Sequence, residues 1–361
     1  QGVATFDPLR ATDLLYDMTT SNYRFQAASI LVKYYVEEDM ETAMAWARNL
    51  PGGDQQIKET ILSQVASEVA QKAPEQCAEW ALTMEEGEGR KRVISAVINY
   101  WSRSSHKDTA TWVKKLPEGP NKYYAIEQMV NQAAKWNSMF GGGAPVPAVF
   151  RLIINRGGEQ GAQHSQSLYS WFAHIPGLRV VVPATPQDAQ DLLVAAIHSD
   201  DPVVYIDDRW LYDLESDVTD PLPIALADQG PLVQRTGSDL TLVGVSWTTR
   251  LALEAADVLA EEGIDCEVID LRILNPLDLS PVLESVSKTR RLVVAEGDWR
   301  SCGIAAEVIA GVVESVEAGC LAASPQRINL VEAPAPTSGP LEAAYYPTVD
   351  DLCNAVRGTV A

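Results

Sequence analysis

Four short apolar runs in the last third of the chain do most to limit its fold. DLTLVGVS (239–246), CEVIDLR (266–272), RLVVAEG (291–297) and RINLVEA (327–333) are rich in β-branched residues. Runs of that kind are buried on both faces, the pattern of parallel strands. Between them lie TTRLALEAADVLAEEG (248–263), LSPVLESVSK (279–288) and GIAAEVIAGVVESVEAG (303–319), whose apolar residues recur at helical spacing. Alternation of strand and helix predicts a doubly wound α/β domain, closed by a helix in TVDDLCNAVRGTV.

A second set of strands precedes it. VPAVFRLII (146–154), RVVVPAT (179–185) and PVVYID (202–207) read as strands, and PQDAQDLLVAAIHSD (186–200) as a helix opened by proline at its first turn. The stretch 213–236, rich in Asp, Pro and Gly, reads as a linker.

The first 120 residues follow another rule. Trp46, Trp80 and Trp112 lie in TAMAWARNLPGG, CAEWALTMEEGEG and TATWVKKLPEGP, 34 and 32 residues apart. Each is followed by a short break and a second amphipathic helix, and Leu14 falls at the matching place in a weaker first copy. A period near 33 is that of stacked helical hairpins, none of which buries its apolar face alone. The hairpins resemble tetratricopeptide-like repeats without a full match; an irregular helical bundle is the other reading. Repeats of this kind bind proteins.

Charge narrows the partners. A net charge of −21 argues against a nucleic-acid backbone or an anionic membrane. No run is long and apolar enough to span a bilayer, and no charged-then-apolar leader opens the sequence. Cys77, Cys266, Cys302, Cys320 and Cys353 form no CxxC pair, so reduced thiols in a cytoplasmic or organelle-matrix setting are expected. There is no P-loop, dinucleotide fingerprint or zinc motif, and SVSK (285–288) matches Ser-x-x-Lys inside an amphipathic helix by chance.

AIEQMVNQAAKW (125–136), VPAVFR (146–151), GAQHSQSLYSWFAHIPGLRVVVPATPQDAQDLL (161–193) and DPVVYID (201–207) together resemble the β chain of thiamine-diphosphate-dependent 2-oxo acid dehydrogenases, of the pyruvate or acetoin dehydrogenase kind. GIDCEVIDLRILNPLD (263–278), VVAEGDW (293–299) and LEAAYYPTVDDL (341–352) resemble the transketolase C-terminal domain of those chains. The resemblance covers about 235 residues and implies a partial transketolase-like pyrimidine-binding domain (123–212) and a transketolase C-terminal-like α/β domain (237–361), joined by the linker (213–236) and preceded by the helical-repeat domain (1–122) read from the tryptophan period.

It also implies an activity: oxidative decarboxylation of a pyruvate-like 2-oxo acid with acyl transfer to lipoamide, in an α2β2 heterotetramer. The implied partners are an α subunit and a lipoyl-carrying acyltransferase, beside the protein partner expected of the repeats. Thiamine diphosphate and magnesium would be shared with the α chain, whose Gly-Asp-Gly and Asn-Asn motif is missing here. His164 of the Ala-Gln-His-Ser-Gln motif is the implied catalytic residue; an imidazole there can donate a hydrogen bond or shuttle a proton. A potassium ion is implied at Ala148, Ala196, Ile197, Ser199 and Asp201, with Ser199 in place of the usual acid.

The family's first quarter, with the glutamate that hydrogen-bonds the aminopyrimidine, has no counterpart; helices stand there. Residues 121–137 fit both the third repeat and the family's helix before VPAVFR, as a rigid fusion would require. The isolated chain is therefore expected to be inactive, with an interaction scaffold or a chimeric fusion as the alternative. Arg156, Gly157 and Gly158 read as a pocket lining or a plain turn. His174 is expected in a core or interface, His106 in a solvated loop and His198 beside the ion. Asp207 and Asp208 are expected on opposite strand faces, in salt bridges rather than a shared-proton dyad.

Overall fold

The computed structural model describes residues 8–18, 21–50, 55–117, 119–221 and 223–361. The chain divides into two compact units, residues 1–132 and 133–361.

The first unit is helical. Short and long helices alternate: α1 (Pro8–Asp17), α2 (Ser21–Glu38), α3 (Met40–Arg48), α4 (Gln55–Lys72), α5 (Pro74–Thr83), α6 (Glu88–Ser104), α7 (His106–Lys115) and α8 (Pro120–Met139). Side-chain bonds recur between residues 33 to 35 apart. Trp46 Nε1 donates to Thr12 Oγ1 (3.1 Å), and Trp112 Nε1 to the Ala78 carbonyl (3.1 Å). Gln64 donates to Ser29, Gln132 to Asn99, and Arg92 pairs with Glu59. The core holds Ile57, Ile61, Val65, Ile94, Val97 and Ile98, spaced by three or four along α4 and α6.

Two local expectations change. Leu14 is 44% exposed while its neighbour Leu15 is buried, so the apolar contact at that position belongs to Leu15. His106 opens helix α7 rather than sitting in a loop, because Ser105 caps the helix by accepting from the Asp108 N–H (3.2 Å). The break at residues 51–54, after Trp46, lies outside the described residues.

The second unit carries two sheets. β1 (Val149–Ile154), β2 (Arg179–Val181), β3 (Val203–Asp208) and β7 (Ile273–Asn275) form one in the order β1-β3-β2-β7. The pairs β1–β3 and β2–β3 are parallel and β2–β7 is antiparallel. β4 (Leu232–Arg235), β5 (Leu240–Gly244), β6 (Cys266–Asp270), β8 (Leu292–Trp299) and β9 (Gln326–Leu330) form the other in the order β4-β6-β5-β8-β9. Only β4 runs antiparallel there. Every residue of β5 and β6 is buried, as uninterrupted apolar runs require.

Helices cover the sheets. α9 (Gly161–His164), α10 (Tyr169–Ala173) and α11 (Pro186–Ile197) belong to the first. α12 (Trp247–Glu261), α13 (Ser280–Thr289), α14 (Ile304–Ser315), α15 (Gly339–Ala343) and α16 (Val349–Val360) belong to the second. Thr185 caps α11, with Pro186 in its first turn, and Thr348 with Asp351 forms a capping box on α16. The architecture is α/β and transketolase-like, preceded by a helical region.

The segment read as linker ends in strand β4, which pairs with β6. The helix read over 303–319 stops at Ser315. Ser285 and Lys288 of the SVSK match serve α13: Ser285 hydrogen-bonds Thr241 (2.7 Å) and Lys288 pairs with Glu267 (2.6 Å). β7 has no sequence signature, being three residues long, and gains its place by crossing to the other sheet. Among the described residues no helix is long and apolar enough to cross a membrane.

Candidate active site

The turn that carries His164 is fastened by one residue, Asn155, just past the end of β1. Its backbone N–H donates to the His164 carbonyl (2.9 Å), and its own carbonyl accepts from Ser165 Oγ (3.1 Å). Its side chain donates to Gln160 (3.0 Å) and accepts from Arg209 (2.7 Å). Gln166 reaches back to the Ala162 carbonyl (2.8 Å). Held this way, the His164 imidazole is exposed and has no hydrogen-bond partner among the described residues. A free imidazole on a fixed turn can give or take a proton at whatever docks against it.

Behind the turn lies a charged joint. Arg156 is almost sealed from solvent and donates from Nε to Asp208 Oδ2 (2.7 Å). Its Nη2 donates to Ser167 Oγ, which in turn donates to the Gly297 carbonyl (2.5 Å). The guanidinium lies 5.2 Å from the Trp247 ring centre and 5.6 Å from that of Tyr346. A Cβ at position 297 would come within 2.5 Å of it, so a side chain there would have to displace the guanidinium. Ser170 Oγ adds a bond to Asp298 Oδ2 (2.9 Å). Arg156 is thus neither a pocket wall nor part of a plain turn, but the strut that ties the His164 segment to β8 and α12.

Other groups from the sequence reading fall elsewhere. Asp207 pairs with Arg151 and Asp208 with Arg156, on opposite sides of β3. Burial raises the Asp207 carboxyl, and Arg151 pulls it back. His174 caps α10 and is exposed, so it has no place in a core. His198 caps α11 and is also exposed.

The residues assigned to potassium gather at one corner, where β1 begins and α11 ends. The Ala148 carbonyl accepts from Val203 N–H (2.8 Å) and that of Ala196 from Ser199 N–H (3.2 Å). Ser199 Oγ accepts from Asp201 N–H (3.2 Å), and Asp201 is paired with Arg179 (2.7 Å). The Ile197 side chain is 61% exposed. Among the described residues no three His, Cys, Asp or Glu side chains are set to hold a metal.

Sequence reading missed two buried carboxyls. Asp270 accepts from Thr249 Oγ1 (3.0 Å); burial, helped by Asp188, pushes it up to about 8. Glu296 accepts from the Ile304 and Ala305 N–H groups that open α14 and from Asn329. Burial raises it to about 7 against those donors. For Glu296 the acidic end of VVAEGDW was the one signal available.

Two stacked α/β halves with a histidine turn at their joint define a transketolase-type chain, and comparison agrees. Residues 123–213 match the transketolase pyrimidine binding domain and residues 230–352 the transketolase C-terminal domain. The chain is 41% identical over 238 residues to the acetoin:2,6-dichlorophenolindophenol oxidoreductase subunit beta of Cupriavidus necator, covering 65% of this chain and 69% of that one. It is 40% identical over 241 residues to the mitochondrial pyruvate dehydrogenase E1 component subunit beta of Ascaris suum, covering 64% and 65%. It therefore belongs to the transketolase-like family of dehydrogenase β subunits that contains these chains, and spans about two thirds of their length. Among solved structures, a split gene transketolase described as an inactive beta4 tetramer shares the fold, with a TM-score of 0.50 and 23% identity over 64% of this chain and 74% of that one.

Thiamine diphosphate would need a carboxylate free to hydrogen-bond its aminopyrimidine. The buried carboxylates of 146–212 are committed: Asp188 to Arg272, Asp207 to Arg151 and Asp208 to Arg156, while Asp191 accepts from Gln187. None is open to a ring nitrogen, and no Gly-Asp-Gly motif occurs. These residues do not fit the cofactor by themselves.

Proposed function

We propose that the chain is a β-subunit-like component of a thiamine-diphosphate-dependent 2-oxo acid dehydrogenase, working only with an α partner. The observation that carries this is the Asn155-fastened turn, which presents the His164 imidazole exposed and without a hydrogen-bond partner among the described residues. In an α2β2 assembly His164 handles a proton or donates a hydrogen bond to substrate. The α chain supplies the diphosphate and magnesium groups that this chain lacks. A lipoyl-carrying acyltransferase receives the acyl group, and potassium sits at the corner of Ala148, Ala196, Ile197, Ser199 and Asp201. The setting is cytoplasm or an organelle matrix. The domains run 1–122, 123–212, 213–236 and 237–361.

A second reading, a non-catalytic scaffold or fusion, is favoured by the committed carboxylates and by side-chain bonds repeating every 33 to 35 residues in the helical unit, which suit stacked repeats that hold a protein partner.

Co-expression with a Gly-Asp-Gly α chain separates the two. The enzyme reading expects an α2β2 mass and decarboxylation of pyruvate with thiamine diphosphate and magnesium, and no turnover by the chain alone. Failure to capture the α chain, or a captured complex without turnover, supports the scaffold.

A further inference from the structure

A cavity of about 330 Å³ opens beside β9, an edge strand of the five-stranded sheet. Its apolar wall is Ile328, Leu330, Val331, Tyr345, Tyr346 and Pro347. Arg300 and Arg327 stand on its rim. Arg327 donates to the Arg300 carbonyl (3.2 Å), and among the described residues no carboxylate pairs with either guanidinium. The single acid in the lining, Asp351, is engaged by Thr348 in the α16 capping box.

We propose that this cavity binds a small organic monocarboxylate with an apolar body. On a chain of net charge −21, two unneutralised guanidiniums beside one apolar notch are a local exception. Guanidinium suits carboxylate and phosphate alike through paired N–H donors. The apolar wall decides between them: a dianionic phosphate ester costs more to take out of water into such a notch than a monoanion does. The volume lies at the small end of ligand sites, which are mostly apolar with a few fixed polar groups. His164 does not line it and it does not rest on the dehydrogenase reading, although its wall residue Tyr346 also meets Arg156 behind the His164 turn.

The test uses the full chain and three probes of one shape: benzoate, benzamide and phenyl phosphate, titrated by calorimetry. Benzoate is expected to bind saturably and benzamide at least tenfold more weakly. Arg300→Gln, at an exposed position that leaves the fold intact by circular dichroism, is expected to weaken benzoate at least tenfold; Arg327→Gln should do the same. Equal binding of benzamide, or unchanged benzoate affinity in both variants, overturns the proposal. Tighter binding of phenyl phosphate than benzoate overturns the choice of a monocarboxylate.

Discussion

Arg156 Nε stands 2.7 Å from Asp208 Oδ2, with the two side chains only 2% and 0% exposed. Removing one partner of such a pair leaves a charge in a medium that cannot solvate it. Arg156→Met is expected to cost about 3–5 kcal/mol. Asp208→Asn added to it should restore part of that loss, giving a double variant less damaged than the sum of the singles. Urea unfolding of the four proteins reads the coupling; additive losses would show that the pair holds nothing.

Asp270 makes stability depend on pH. Its folded value is raised from 3.8 to about 8, so the folded state holds a proton that the unfolded state releases. Its contribution is complete below about 3.8 and is lost as pH rises through about 8. Asp270→Asn keeps an acceptor for Thr249 and cannot ionise. The melting temperature of the variant, relative to the parent, should therefore climb between pH 5 and pH 8.5. A difference that stays flat with pH counts against a protonated Asp270.

Ser246 opens α12 at φ 54° and ψ −124°, a region kept mostly for glycine. Its hydroxyl donates to the Pro183 carbonyl (3.1 Å). Relief of strain, about 1–3 kcal/mol, offsets loss of the bond, about 1 kcal/mol, and the entropy of a new glycine. Ser246→Gly is thus expected within about 1 kcal/mol of the parent, whereas Ser246→Val, branched at Cβ, should cost more than about 2 kcal/mol. Thermal unfolding that ranks valine equal to glycine would contradict the strain.

The His164 side chain is exposed and has no hydrogen-bond partner among the described residues, so His164→Ala should shift stability by less than about 0.5 kcal/mol. In the α-complemented assembly the same change should lower kcat about 10²–10⁴-fold. A near-normal kcat would remove His164 from the chemistry.

The longer strands and helices of the second unit were legible because continuous apolar runs such as LTLVG can only be buried, whereas β4 lay inside the stretch read as linker. The GAQHSQ turn was legible as a motif. Its fastening was not. Ser167 meets Gly297 across 130 residues and Ser170 meets Asp298 across 128, pairings that local spacing never encodes. Arg156 looked like a loop residue because its neighbours are glycines; its burial comes from Trp247 and Tyr346, far along the chain. β7 escaped for the same reason, since three residues carry no period.

β7 also means that the order of domains along the chain is not their order in space. Ile273–Asn275 follow the linker in sequence but complete the sheet that precedes it. A protease that nicked the exposed stretch at 215–221 would cut the covalent thread and leave the particle whole. The two pieces would co-migrate until denatured, and neither, made separately, would possess a finished sheet of its own on the first side.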